Sequence, residues 1–295
     1  MGDLNGNRNG AVIGVMAATQ LITGSTYLIV KLGLREFSPF SLGCIRFLIS
    51  AAVFAALLAL RRHARFFARA DWKHFLLLGL LGVPLNQGLF LYGMKYAPAA
   101  HGALLYASTP IMVLFLSVLL LGERPSLLRV AGIALGFAGV LLVLFDKGIA
   151  FARQTLGGDL LVLAAVATWA LYTIYSKKLL RRYSPLEVTG FSLSLGALLF
   201  LPVGLPFMLR QDYGAVTRTG VFSVLYLAVM TSVVAYLVWG WALSKMDASK
   251  VAVISNLQPV VAAALAWIVF KEAVTLRFVI GTAVVLAGVV MTERG

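Results

Sequence analysis

The sequence has little of what catalytic and metal sites are made from. Of its 295 residues, three are histidine and one is cysteine. A single cysteine, Cys44, excludes an intramolecular disulfide and a cysteine-rich metal site. His63, His74 and His101 are scattered, so the clustered His, Asp, Glu or Cys constellation that a membrane-embedded enzyme needs is not visible. Charge is also scarce, at 12% of residues against about a quarter in an ordinary soluble domain. Glu36, Glu123, Asp159, Glu187 and Glu272 all lie near the ends of apolar runs, and no acidic residue stands near the middle of one.

What is abundant is apolar surface, 61% of the chain, with a mean hydropathy of +0.94. One globular core of this size cannot hide so large an excess, because its surface needs more polar cover. Lipid is the expected solvent. The net charge of +14 suggests nucleic acid only if position is ignored, since the basic residues lie between apolar runs.

Runs of about 20 apolar residues, enough to cross about 30 Å of hydrocarbon as helix, fall near 11–30, 40–60, 74–93, 102–121 and 128–145. A second set falls near 158–177, 187–209, 220–243, 250–270 and 277–292. Backbone groups in lipid must be satisfied within the segment, which makes these runs helices. The expectation is an all-α integral membrane protein of ten transmembrane helices. Alternate sides of such a bundle carry 15 and 9 Lys and Arg, with Arg46 inside a span, which places both termini in the cytoplasm. The densest signals are Arg61, Arg62, Arg65, Arg69 and Lys73, then Lys177, Lys178, Arg181 and Arg182.

The chain repeats itself. An offset of 146 aligns Lys31 with Lys177, Arg35 with Arg181 and Ser38-Pro39 with Ser184-Pro185. An offset of 149 aligns Ala103 with Ala252, Pro110 with Pro259, Glu123 with Glu272, Gly132 with Gly281 and Gly139 with Gly288. Five spans per copy is an odd number, so the second copy starts on the other side: residues 11–145 and 158–292 form two inverted five-helix repeats. Ala11 to Val30 could alone be a signal-peptide core, but the repeat marks it as a retained span.

The stretch Ala99 to Val143, AAHGALLYASTPIMVLFLSVLLLGERPSLLRVAGIALGFAGVLLV, has a weaker copy from Ala248 to Met291. On these stretches the chain resembles the drug/metabolite transporter superfamily in its ten-helix EamA branch, and within it the YddG-type exporters of aromatic and other neutral amino acids. The resemblance implies a ten-helix basket around a central cavity, export across a bacterial-type cytoplasmic membrane and no cofactor; alternating access is the expectation from the inverted repeats, and no oligomer is required. A multidrug exporter of the same fold, or a receptor, is the competing reading.

Pro110 and Pro259 each remove a backbone bond near midspan, as a packing kink or as part of a cavity and its gate. Beside them stand Tyr106, Ser108, Thr109, Asn256 and Gln258, polar groups costly against lipid. Gln20, Thr23 and Tyr27 share one face of the first span, and Pro84-Leu85-Asn86-Gln87 lies in the third. Trp169 and Tyr172 in the sixth span, with Tyr236, Trp239 and Trp241 in the eighth, are either aromatic cavity wall or lipid packing. The candidate substrate-binding set is Gln20, Thr23, Asn86, Gln87, Tyr106, Trp169, Tyr172, Asn256 and Gln258, a neutral lining suited to a zwitterion with an apolar side chain.

Arg46 is expected to snorkel outward or to pair with Glu272, and the resemblance favours a structural role over contact with substrate. His101 is a lone titratable group, and Gly132 with Gly136 reads as close helix packing. The absence of midspan carboxylates predicts transport that needs no proton cycle through a buried acid. Topology is the first property to test. A cysteine reagent confined to the outside of intact cells should leave single cysteines placed in 61–73 or 177–187 unlabelled, and labelling of either would reverse the orientation.

Overall fold

The computed structural model describes residues 2–61, 67–145, 155–270 and 275–295, with the side chains of 2–9, 100, 143–145, 262–263 and 266–270 set aside. Among the described residues every regular element is helical. Eight helical stretches among the described residues are long and apolar enough to cross a membrane: Gly10–Gly33, Pro39–Leu60, Arg69–Tyr96, His101–Leu121, Leu156–Leu179, Pro185–Leu209, Arg218–Lys245 and Leu276–Arg294. Leu127–Leu142 is a shorter apolar helix. The expected run at 250–270 is divided into α12 (Ala248–Val253), a 3-10 turn at Ile254–Asn256 and α13 (Leu257–Phe270).

Two further runs change register within the span, through π turns. In the third, α3 (Trp72–Leu80) passes through a π-helical turn, Leu81–Leu85, into α4 (Asn86–Tyr96). Pro84 sits in that turn and has no N–H to donate, so the bonding register widens there. In the eighth, α10 (Arg218–Tyr226) passes through a longer π segment, Leu227–Ala235, into α11 (Tyr236–Lys245). No proline causes this one. Serine side chains take the loosened carbonyls: Ser232 Oγ donates to Leu227 O at 3.0 Å and Ser50 Oγ to Ala228 O at 3.0 Å.

The matched prolines both mark restarts of helix. Pro110 lies in the first turn of α6 (Thr109–Leu121), which follows α5 (Ala99–Tyr106) after a turn at Ala107 and Ser108. Pro259 is the third residue of α13, just after the 3-10 turn. Ser108 Oγ and Ser255 Oγ reach back to Leu105 O and Ala252 O, each at 2.6 Å.

Other aligned residues play the same part in each half. Ser38 caps α2 (Pro39–Leu60) at φ −67, ψ 152, and Ser184 caps α9 (Pro185–Leu209) at φ −71, ψ 157. Each accepts a backbone N–H three residues on, from Ser41 and Glu187, and each is followed by proline, whose fixed φ suits the first helical position. Lys31 Nζ, near the end of α1 (Gly2–Gly33), donates to Met94 O at 2.6 Å. Lys177 Nζ, near the end of α8 (Leu156–Leu179), donates to Leu243 O at 2.7 Å and Met246 O at 2.6 Å. Both lysines satisfy carbonyls at the end of the helix that contains the π turn.

Close packing at glycine holds α7 (Leu127–Phe145) against α14 (Leu276–Arg294). A Cβ at Gly139 would stand 2.6 Å from Val285 N and 2.8 Å from Gly281 O, and one at Gly132 would stand 2.8 Å from Gly288 O. Residue numbers therefore rise along one helix as they fall along the other, and the pair is antiparallel with backbone against backbone. The expected packing role of Gly132 is seen here, while Gly136 faces both Gly288 and the Asn256 side chain. Gly139→Ala is expected to cost about 1–3 kcal/mol, because neighbouring backbone cannot yield as a flexible side chain would. Gly157→Ala, with nothing within 4 Å, is the neutral control. Thermal unfolding in detergent compares the two.

Candidate functional site

Seven of the nine expected substrate-binding residues meet around one central cavity. α1 presents Gln20 and Thr23 together with Met16, Thr19, Thr26 and Tyr27. Their spacing of three and four residues is one helical face, which turns inward. The start of α4 contributes Asn86, Gln87 and Phe90, α5 contributes Tyr106, α8 Trp169 and α13 Gln258. The eighth span closes the wall with Thr231, Tyr236 and Trp239. The cavity has a volume of about 90 Å³.

The amides are held by one another and by the wall. Asn86 Nδ2 donates to Tyr106 OH at 3.0 Å and to Ala165 O at 2.7 Å, and Gln87 Nε2 donates to Asn86 Oδ1. Tyr27 OH donates to Gln258 Oε1 at 2.8 Å, tying α1 to α13. Thr23 Oγ1 donates to Gln20 Oε1 at 2.9 Å. The rings form two clusters. Phe90 and Tyr106 stand edge to face at 5.4 Å with Tyr27 beside them, and Trp169 stands edge to face with Tyr236 at 5.1 Å and tilted against Trp239 at 5.3 Å. Positions 90 and 239, which the offset of 149 pairs, both place an aromatic ring on the cavity wall.

Tyr172 and Asn256 stand away from the lining. Tyr172 is buried behind Trp169, stacked on it at 5.3 Å, with its hydroxyl 3.3 Å from Ser192 Oγ. It backs the wall. Asn256 is fully buried against Gly136 of α7, and neither its Nδ2 nor its Oδ1 has a hydrogen-bond partner. Pro110 and Pro259 do not line the cavity, although Gln258 lies directly before the second.

Arg46 departs furthest from expectation. It does not snorkel: the side chain is 0% exposed and lines the cavity. Its Nε donates to Ser232 Oγ at 2.7 Å and its Nη1 to Gln87 Oε1 at 3.0 Å. Glu272, the expected partner, lies outside the described residues. The physical reason for the inward course is local. The π segment of the eighth span turns Ser232 toward α2, and Gln87 offers a second acceptor, so the guanidinium reaches polar atoms without leaving the bundle. His101 is not alone either. Its Nδ1 lies 2.9 Å from Asp159 Oδ1, in a buried contact between α5 and α8 away from the cavity lining.

Phe90, Thr19, Thr26 and Thr231 join the lining from outside the expected set. Phe90 is legible as the next residue on the Asn86–Gln87 face, and Thr19 and Thr26 as members of the Gln20 stripe. Thr231 depends on the π segment, which no apolar pattern announces.

A helical membrane protein built around a polar and aromatic cavity is the class defined by this geometry. The sequence model of the EamA-like transporter family matches residues 10–145 and again 156–294, and the chain belongs to that family. It is similar to an uncharacterised transporter of Archaeoglobus fulgidus, at 30% identity over 94% of this chain and 96% of the relative. It is also similar to a probable amino-acid metabolite efflux pump of Salmonella typhimurium, at 29% identity over 93% and 92%. A probable terminal-alkyne amino-acid exporter of Streptantibioticus cattleyicolor is 27% identical over 95% and 92%. A solved crystal structure shares the fold with a TM-score of 0.76, covering 95% of this chain and 96% of that one at 24% identity. The chain is a membrane transporter.

Asn86 is the hub of the amide network, bonding α5, α8 and its own neighbour Gln87. Asn86→Ala should lower stability by about 1–3 kcal/mol, since buried partners lose their bonds without gaining water. The unfolding temperature in detergent reads this directly, and an unchanged value would show that the network does not brace the wall.

Proposed function

We propose that the chain exports neutral amino acids with aromatic or other apolar side chains across a bacterial-type cytoplasmic membrane, by alternating access of the central cavity. The observation that carries this reading is the lining itself: rings of Tyr106, Trp169, Tyr236 and Trp239 interleaved with the neutral amides of Gln20, Asn86, Gln87 and Gln258. Aromatic faces hold an apolar side chain, and amides hold polar backbone groups without demanding a net charge. The names of the Salmonella and Streptantibioticus relatives, both tied to amino acids, point the same way.

Alternating access is supported by paired devices in the two halves. Each half has a π turn, a helix restart at a matched proline and a lysine on equivalent carbonyls. In our reading residues 11–145 and 158–292 are inverted five-helix repeats, ten spans in all, with both termini cytoplasmic. Two like halves of opposite orientation give two conformations of similar energy around one site. Pro110 and Pro259 are then gating positions, where a missing backbone bond lowers the cost of bending.

Flux in proteoliposomes tests this function. Phenylalanine and leucine should cross faster than glutamate or lysine, and faster than a lipophilic cation such as tetraphenylphosphonium. Trp169→Ala and Tyr106→Ala, at equal protein level, should weaken phenylalanine by about tenfold, the loss expected from about 1–1.5 kcal/mol of ring contact. Preference for the cation would replace this reading with a multidrug exporter.

A further inference from the structure

We propose that Arg46 and Tyr236 form a carboxylate anchor in the cavity wall, so that a free carboxylate is the obligatory element of the transported molecule. The proposal rests on the amino-acid reading above and assigns the part of the substrate that must be present.

Arg46 is the only charged side chain that lines the cavity among the described residues. A guanidinium keeps its proton at any physiological pH, so its charge cannot be relieved by titration. Burying such a charge without an anion is among the most unfavourable arrangements open to a protein. Yet the partners of Arg46 are neutral: Ser232 Oγ on Nε and Gln87 Oε1 on Nη1, with the Phe47 ring 4.9 Å from the guanidinium carbon. Its Nη2, which carries two N–H donors, is buried and has no partner at all.

Tyr236 lines the same cavity, with its buried hydroxyl beside Gln87, the amide that also accepts from Arg46. The partnerless Nη2 calls for an acceptor that the protein does not supply, and the Tyr236 hydroxyl stands next to the place where one would sit. A carboxylate has two oxygens, each able to accept more than one hydrogen bond, and brings the missing negative charge. A neutral amide or ester could accept a bond but would leave the charge uncompensated. A purely structural Arg46, bracing α2 to the π segment and to Gln87, accounts for Nε and Nη1 but not for Nη2. With the carboxylate placed there, the rings of Trp169 and Tyr106 hold the side chain of the substrate while the amides hold what remains.

Ligand chemistry on the wild-type full-length protein in detergent tests the anchor. Competition against radiolabelled phenylalanine is measured, together with the ligand-induced rise in unfolding temperature. Four probes are compared: phenylalanine, 3-phenylpropionate, phenylalaninamide and 2-phenylethylamine. The first two carry a carboxylate and should bind. The last two lack it and should bind at least about tenfold more weakly, the loss expected when a charge-assisted bond is not made. Arg46→Lys keeps the charge but loses the planar fork. It should weaken phenylalanine and 3-phenylpropionate by about tenfold and phenylalaninamide by clearly less. Tyr236→Phe should act in the same direction with a smaller loss.

Phenylalaninamide competing as well as phenylalanine on the wild type would overturn the anchor, and this arm needs no variant to fold. If 3-phenylpropionate bound through Arg46 while phenylalanine did not, the anchor would stand and the neutral amino-acid reading would fall. Export of phenylalanine unaffected by Arg46→Lys, with the amide an equal competitor, would sink the anchor alone. Binding by neither carboxylate would sink both.

Discussion

The constraint on which the structure depends is that backbone groups inside a membrane have no water to turn to. An unbroken helix meets it without help. Every break therefore needs a named substitute, and the substitutes here are serines and lysines: Ser232 and Ser50 on the carbonyls of the π segment, Ser108 and Ser255 beside the matched prolines, Lys31 and Lys177 at helix ends. The breaks cluster around the cavity because only there does a departure from regular helix gain anything, by turning polar atoms toward a common space. Asn86 follows directly on the Pro84 turn, and Gln258 directly precedes Pro259.

Much of this is legible in the sequence because the signals are periodic or duplicated. Apolar runs mark the helical spans to within a few residues, and the Ser-Pro pairs mark two helix starts whose cap geometry agrees within a few degrees. The Gln20–Thr23–Tyr27 stripe gives one wall of the cavity by spacing alone. What is not legible comes from local changes of register. A π turn without proline, as at Leu227–Ala235, leaves no mark on an apolar pattern, and it decides that Ser232 meets Arg46. By its position in the sequence Arg46 leans outward and Tyr172 is a contact, whereas in the fold Arg46 turns inward and Tyr172 is the support behind Trp169. Distances between helices decide such matters, and one chain read by itself carries no record of them.

The two aromatic clusters and the amide network divide the cavity unevenly. The Tyr27–Phe90–Tyr106 cluster belongs to the first half and is tied to the amides by Asn86 and Gln258. The Trp169–Tyr236–Trp239 cluster belongs to the second and meets the amides at Gln87, beside the Tyr236 hydroxyl. A duplicated scaffold thus encloses an unsymmetrical interior. A small molecule with two different ends can have one preferred pose in it, although the family model matches the chain twice.

The antiparallel contact of α7 with α14 is built on glycine backbone. Where Gly132 and Gly139 meet Gly288 and Gly281, main chain rests on main chain, with the Thr292 and Val285 side chains closing in beside it. Such a joint cannot creep, since a shift by even one methyl radius has nowhere to go. The two helices behave as a single girder shared by both halves of the chain. Displacement of one helix past another is therefore easier at the π turns and helix restarts, where the main chain is already loosened, than at this joint.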